Sequence, residues 1–244
     1  NPNATGGDFG YFLDFVGSGT KKIAYAASIG YRTFPPKYES KCIECLKGFE
    51  SISVREKSAC KIVAESVDKD VENVLDPTLL LSDLRWLDIA KKPRNLPHRY
   101  ILVYMMEGCK YTIEKARALA RDKECDLVLI NPTLRQRQTC KDFVMYKAAS
   151  PEEFVGMFAQ ADAVVTNSFH GVAFSIIFKK EFYAETSNAE KSARIIDLLA
   201  LFELSDRLLP NEKDGKPNWE KVNSELIKEK HKSISWLKDS LGLN

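Results

Sequence analysis

The sequence lacks any long apolar run and has no excess of charge of one sign. No segment of its 244 residues approaches the roughly 18 to 20 uninterrupted apolar residues that a membrane helix requires. The 36 basic and 34 acidic residues leave a formal net charge of +2, whereas a nucleic-acid-binding domain is usually strongly basic. The composition therefore predicts a soluble globular protein with no membrane span and no nucleic-acid partner.

The chain also lacks the cysteine pattern of a disulfide-rich or zinc-binding protein. Its six cysteines are scattered through a chain too large to need stapling, so we expect the reduced thiols of a cytoplasmic protein. Cys42 and Cys45 are closely spaced, but a structural zinc site needs four ligands and no second pair of suitable spacing exists. The sequence therefore predicts no metal site.

Neither a secretory signal nor an internal repeat nor an initiator Met is present. The chain begins with Asn1-Pro2-Asn3 in loop-like sequence, and this start looks cropped. Two α/β domains are the better interpretation of the length, because single domains cluster at about 100 to 150 residues. The predicted divisions are a first domain at 1–81, a connection containing two prolines at 82–99, a second domain at 100–218 and a C-terminal helix at 219–244.

Strand-like and helix-like segments alternate on both sides of the connection. Short apolar runs predict strands at 22–30, 51–55, 100–105, 126–130 and 163–166. Helical spacing of apolar residues predicts helices at 56–65 and 112–123, and Ser150-Pro151 predicts a further helix start. This alternation is typical of βαβ units and parallel sheets.

The segment after the strand at 163–166 is the most informative for chemistry. Asn167 and Ser168 precede a predicted helix, whose first turn directs unpaired backbone N–H groups and the positive dipole end toward one point. Ser168 adds a hydroxyl there, and Gly171 permits close approach of a ligand to the backbone. His170 lies in the same turn, either as a functional imidazole facing a cleft or as a structural one bonded to a neighbouring carbonyl.

Arg55 ends its own predicted strand. Ligands of open α/β sheets bind outside the carboxyl ends of the strands, so its guanidinium could bind a phosphate or carboxylate at the cleft that His170 lines. The alternative interpretation is a surface charge beside Glu56.

Four ordered blocks carry a specific family resemblance. They are Lys22-Ile23-Ala24-Tyr25-Ala26-Ala27-Ser28-Ile29-Gly30, Ile52-Ser53-Val54-Arg55-Glu56, Leu75-Asp76-Pro77-Thr78-Leu79-Leu80 and Val165-Thr166-Asn167-Ser168-Phe169-His170-Gly171. In order and approximate spacing, these blocks resemble the polysaccharide pyruvyl transferases. The resemblance extends over nearly the whole chain.

The resemblance implies a GT-B-like pair of Rossmann-like domains with parallel sheets. It also implies that the first domain is N-terminally truncated by about one hundred residues, the bulk of a Rossmann-like half. Members of the family transfer a pyruvate ketal from phosphoenolpyruvate to a sugar in polysaccharide biosynthesis, as in capsule or exopolysaccharide, and need no cofactor or metal. The implied partners are phosphoenolpyruvate and a sugar or lipid-linked oligosaccharide acceptor, with peripheral contact at the inner membrane surface.

By the same resemblance, His170 is the catalytic residue and Arg55 contacts the donor. The anion-binding turn adds Asn167, Ser168 and Gly171 to the predicted substrate site. Family members often carry Arg two residues ahead of the His, where this chain has Ser168. Lys191 or Arg194 on the next helix is expected to replace that guanidinium. Two alternatives stay open: a glycosyltransferase of the same frame that uses a nucleotide sugar, and a non-catalytic carbohydrate-binding relative.

Overall fold

The computed structural model describes residues 8–17, 19–29, 33–186, 193–213 and 215–243. The chain divides into two compact units. The first comprises Asn1–Leu80, Asn188–Leu198 and Leu226–Asn244, and the second comprises Leu81–Ser187 and Leu199–Glu225. The predicted connection at 82–99 lies in the second unit by its contacts, and the C-terminal helix contributes to both units.

The first unit contains a parallel sheet in the order β1-β2-β3. Its strands are β1 (Ile23–Ala27), β2 (Ser51–Val54) and β3 (Val71–Asn73). Its helices are α1 (Glu39–Lys47) and α2 (Lys57–Val67), joined by parts of α8 (Ala193–Leu201) and α9 (Trp219–Leu241). Ile52, Ser53 and Val54 are all buried, as expected for a strand covered on both faces.

Helix α2 packs on this sheet through residues spaced four apart. Ala59, Val63 and Val67 are each at most 4% exposed, which is the apolar face of an amphipathic helix. They join one core with residues of β2 and α1. The strand and helix predicted from 51 to 65 are therefore confirmed.

The second unit contains a parallel sheet in the order β6-β5-β4-β7-β8-β9. Its strands are β4 (Tyr100–Tyr104), β5 (Asp126–Ile130), β6 (Val144–Tyr146), β7 (Ala163–Thr166), β8 (Glu181–Glu185) and β9 (Leu208–Leu209). Its helices are α3 (Asp83–Ile89), α4 (Lys110–Lys123), α5 (Leu134–Thr139), α6 (Pro151–Gln160) and α7 (Phe169–Ile177), with parts of α8 and α9.

Strands β4 and β7 are adjacent at the centre of the second unit's sheet and contribute to its core. All four residues of β7 are buried, and Ile101 and Val103 of β4 share one core with Ala163 and Val165 of β7. Strand β7 therefore reaches its carboxyl end within the buried core, which positions the turn into α7.

The predicted fold class, α/β with parallel sheets, is confirmed in both units. All six cysteines are free thiols. Within the residues described, no helix combines the length and apolar character needed to cross a bilayer.

Candidate functional site

Polar residues collect at the carboxyl edge of the first unit's sheet. Ser28 follows β1, Arg55 and Glu56 follow β2, and Asp76 follows β3. Parallel strands end at the same edge, so their side chains meet there. We call Ser28, Arg55, Glu56, Asp76 and Arg194 the arginine cluster, since hydrogen bonds and ion pairs connect them as described next.

Arg55 is held from one side by Asp76. Its Nη1 lies 2.5 Å from Asp76 Oδ2, and the Thr78 amide and hydroxyl donate to Asp76 Oδ1 at 3.0 and 2.7 Å. Burial by itself raises the pKa of Asp76, but the bonds from Thr78 and Arg55 outweigh it and leave that pKa below its usual range. Asp76 is therefore an ionised anchor for the Arg55 guanidinium.

Glu56 is the centre of the arginine cluster and is only 2% exposed. The Ser28 hydroxyl donates to its Oε1, and the Nε atoms of Arg55 and Arg194 each lie 4.0 Å from the same oxygen. Burial raises the pKa of Glu56, an effect that the Ser28 hydrogen bond and the two arginines oppose. Two guanidinium groups thus flank one buried carboxyl group.

Arg194 reaches the arginine cluster because its helix is docked on α2. Asp197 Oδ2 accepts from both the amide and the hydroxyl of Ser58, each at 3.0 Å. Residues three apart share a helix face, so the contact that fixes Asp197 also directs Arg194 toward Glu56. Lys191, the other predicted replacement for a family arginine, lies outside the described residues.

The predicted substrate-site residues at the β7–α7 turn lie in the second unit. Thr166 is fully buried, donates to the Tyr104 carbonyl at 2.6 Å and accepts from the Ser168 amide at 3.0 Å. Ser168 is 5% exposed, and its polar side chain offsets part of the rise in the pKa of Tyr104 that burial causes. Ser168 thus packs against β4, and its role in substrate binding stays a prediction.

Asn167 fixes the loop after β4. Its Oδ1 accepts from the Met106 amide at 2.8 Å, and its Nδ2 donates to the Glu107 carbonyl at 3.1 Å and to Cys109 Sγ at 2.9 Å. One amide side chain therefore holds three positions of the segment that leads into α4. Whether Asn167 also binds substrate stays a prediction.

Close packing requires a glycine at position 171, a role that the amino-acid sequence alone did not indicate. A Cβ at this position would lie 2.2 Å from Thr166 Oγ1 and 2.8 Å from Thr166 Cβ and Cγ2. The first turn of α7 can approach β7 only because residue 171 has no side chain. Contact with a substrate is not required to explain this glycine.

His170 is exposed in the first turn of α7, next to the buried Phe169. Their rings contact each other edge to face, with centroids 5.4 Å apart. The imidazole adjoins the N-terminal end of α7, whose dipole favours bound anions. An exposed imidazole at this place can exchange protons with a ligand, and its catalytic role stays a prediction.

Sequence reasoning missed three residues that organise these sites. Glu56 was considered only as a surface partner of Arg55, although it is buried, and Asp76 and Asp197 were given no role. A signal for Asp76 is its position in the Asp76-Pro77-Thr78 turn after a strand, where an Asp carboxylate commonly accepts from the amide two residues on. Asp197 pairs with a residue 139 positions away, a distance at which local sequence carries no signal.

Several solved structures are similar to this chain at low sequence identity. The UDP-GlcNAc 2-epimerase of Methanocaldococcus jannaschii matches at 12% identity with a TM-score of 0.50, over 84% of this chain and 61% of that chain. A complex of that enzyme with UDP-GlcNAc and UDP matches at 15% identity and a TM-score of 0.46, over 75% of this chain and 54% of the other. This chain therefore spans less than two thirds of the length of these two structures.

A mutant O-GlcNAc transferase of Thermobaculum terrenum is also similar, at 9% identity and a TM-score of 0.38, over 80% of this chain and 42% of that chain. No curated protein sequence matches the chain. The family comparison is decisive, because the model of the polysaccharide pyruvyl transferases matches residues 4–187. This range includes the whole β7–α7 turn and every member of the arginine cluster except Arg194. The chain belongs to the polysaccharide pyruvyl transferase family.

Proposed function

We propose that this protein transfers a pyruvyl group from phosphoenolpyruvate to a sugar of a bacterial surface polysaccharide precursor, forming a ketal. The observation that carries the proposal is the family match over residues 4–187. The arginine cluster supports it, because a donor with a phosphate and a carboxylate needs fixed cationic groups.

The proposed reaction starts with protonation of the donor's methylene carbon, which becomes a methyl group and leaves an oxocarbenium-like centre at the neighbouring carbon. One sugar hydroxyl attacks that carbon and loses its proton. The carbon–oxygen bond to phosphate breaks, phosphate departs, and a second hydroxyl of the same sugar closes the ketal with loss of another proton. The products are one pyruvate ketal and one inorganic phosphate.

The roles of the residues follow from their chemistry. Arg55 and Arg194 bind the anionic donor, since guanidinium groups pair with phosphate and carboxylate in a fork geometry. His170 relays the proton, as histidine commonly does in general acid–base catalysis. The N-terminal end of α7 stabilises negative charge on the departing phosphate.

The acceptor side of the proposal is a sugar or lipid-linked oligosaccharide, of the kind from which capsule or exopolysaccharide is built. We place the reaction in the cytoplasm, at the inner membrane surface, because an acceptor with a lipid anchor would be met there.

Titration with two donors tests the donor class. We expect phosphoenolpyruvate to bind in calorimetry and UDP-GlcNAc not to bind. Binding of UDP-GlcNAc alone would support the nucleotide-sugar alternative, and binding of neither donor but of a sugar would support the non-catalytic one.

His170→Ala and His170→Gln test the proton role in a transfer assay beside wild type. An exposed imidazole contributes little packing, so both variants should melt as wild type does. Removal of a general acid–base group should slow transfer by about 10²- to 10⁴-fold. Variants that retain more than a tenth of the wild-type rate would show that His170 is structural.

A further inference from the structure

Glu56 occupies the N-cap position of α2 but does not cap that helix. Its backbone is extended, as at a normal N-cap, yet its side chain accepts no bond from the first turn. Asp197 takes over that task by accepting from the Ser58 amide. The carboxyl group of Glu56 is thereby free to turn toward Arg55 and Arg194.

Two buried polar atoms of this cluster have no hydrogen-bond partner among the described residues. Among the described residues, neither Glu56 Oε2 nor Arg194 Nε makes a hydrogen bond, although both atoms are inaccessible to solvent. Leaving such atoms unpaired is costly, so a closer approach of Arg194 Nε to the Glu56 carboxyl group would be favourable. Arg194 Nε is 4.0 Å from the carboxyl group, about 1 Å beyond an ordinary N–H···O bond.

Within the described part of the chain, Arg194 makes no hydrogen bond. Its side chain is 35% exposed, and its contact with Glu56 is the ion pair that the structure gives it within the described part of the chain. The two Nη groups can therefore bind a ligand while Nε closes onto Glu56, because a guanidinium presents its donors in a fixed fork.

We infer that Glu56 is a positioning residue that holds the Arg55 and Arg194 guanidinium groups side by side as one binding site for a small phosphate-bearing anion. Two like charges repel each other, and a carboxyl group between them offsets that repulsion. Asp76 keeps Arg55 in place independently, so the loss of Glu56 should release mainly Arg194. The inference rests on the proposed function for the identity of the anion as phosphoenolpyruvate, but its geometry requires only a phosphate group.

The test is calorimetric titration of the full chain with inorganic phosphate and with phosphoenolpyruvate. The variants are Glu56→Gln, Arg194→Met and the double variant, with Glu65→Gln as the control. Glu65 lies on α2, the helix that Glu56 precedes, but it is 66% exposed and forms an ion pair with Lys61 at 3.8 Å. Each single variant should weaken binding of both probes about tenfold or more, as expected for loss of a charged hydrogen bond, and Glu65→Gln should bind as wild type does.

The double variant separates a positioning role from a general structural one. If Glu56 acts through Arg194, then Glu56→Gln should have little further effect on binding once Arg194 is Met. The inference is overturned if the two effects multiply, if Glu56→Gln binds phosphate as tightly as wild type, or if wild type binds neither probe. If Glu56→Gln does not fold, Arg194→Met provides the test, because the Arg194 side chain is partly exposed and its replacement should leave the fold intact. An unchanged phosphate affinity of Arg194→Met would then overturn the inference.

These outcomes differ from a failure of the proposed function. Wild type that binds phosphate through both arginines but transfers no pyruvyl group would leave the anion site intact and refute the transferase proposal. If wild type transfers pyruvyl groups but Glu56→Gln shows an unchanged KM for phosphoenolpyruvate, the transferase proposal stands and the positioning role of Glu56 is refuted. A positioning role predicts a larger effect on that KM than on kcat.

Discussion

Substitution of Gly171 by Ala should destabilise the second unit, because the new Cβ would lie 2.2 Å from Thr166 Oγ1. Thr166 cannot easily move, since it is fully buried and bonded to both the Tyr104 carbonyl and the Ser168 amide. Overpacking costs about 1 to 3 kcal/mol, and disturbing one hydrogen bond adds about 1 kcal/mol. The higher helix propensity of Ala returns up to about 1 kcal/mol, so we expect a net loss of about 1 to 3 kcal/mol.

Urea unfolding combined with hydrogen exchange of α7 amides would measure this loss in the unit concerned. Gly108→Ala is the matched control, because a Cβ there would have no neighbour within 4 Å, and it should change stability by at most about 0.5 kcal/mol. In a Thr166→Ala background, the cost of Gly171→Ala should fall, because two of the three clashing atoms are gone. A Gly171→Ala protein as stable as the Gly108→Ala control would refute the packing explanation.

Two further predictions concern polar residues. Asn167→Ala should speed hydrogen exchange at the Met106 amide by at least about fivefold, since loss of a hydrogen bond costs about 1 to 3 kcal/mol, and unchanged exchange would show that the loop is held otherwise. The pKa of Asp76 is lowered in the fold, so its stabilisation is present at neutral pH and is lost as pH falls through and below about 4. In urea titrations from pH 7 to 3, Asp76→Asn should therefore be less stable than wild type at pH 7, with a gap that narrows on acidification; a constant gap would contradict the ionised anchor.

The elements that could be predicted from sequence were those whose own residues carry the signal. The segments at 126–130 and 163–166 consist mainly of apolar residues, and both are strands with those bounds. The helix start predicted at Ser150-Pro151 is confirmed, and Ser150 caps α6 through the reciprocal hydrogen bonds of a capping box. Local propensity and tertiary environment agree at these places.

Helix α3 was missed because its stability comes from a distant contact. Its seven residues follow the capping Ser82 and precede Pro93, and their mixed charge resembles a linker. Trp86 anchors the helix by packing edge to face on Phe174, with ring centroids 5.0 Å apart. A contact across 88 positions leaves no pattern in the local sequence (174 − 86 = 88).

The candidate site likewise contains residues that local sequence identifies and residues that only distant contacts bring into place. Arg55 and His170 could be identified as candidates because each follows a strand, and the end of a strand can be predicted from the amino-acid sequence. The position of Arg194 beside Glu56 depends on the contact between Asp197 and Ser58, which only the folded chain provides. The convergence of Arg55 and His170 on one ligand stays a prediction.

The central claim is pyruvyl transfer from phosphoenolpyruvate, and mass spectrometry of the product formed in D₂O tests it most directly. The protein would be incubated with phosphoenolpyruvate and a panel of sugar acceptors, and phosphate release would be measured in parallel. The account predicts one phosphate released per pyruvate ketal, with one solvent deuterium in the ketal's methyl group. An acceptor that gains no pyruvyl group from phosphoenolpyruvate, but gains a sugar when UDP-GlcNAc is supplied, would contradict it.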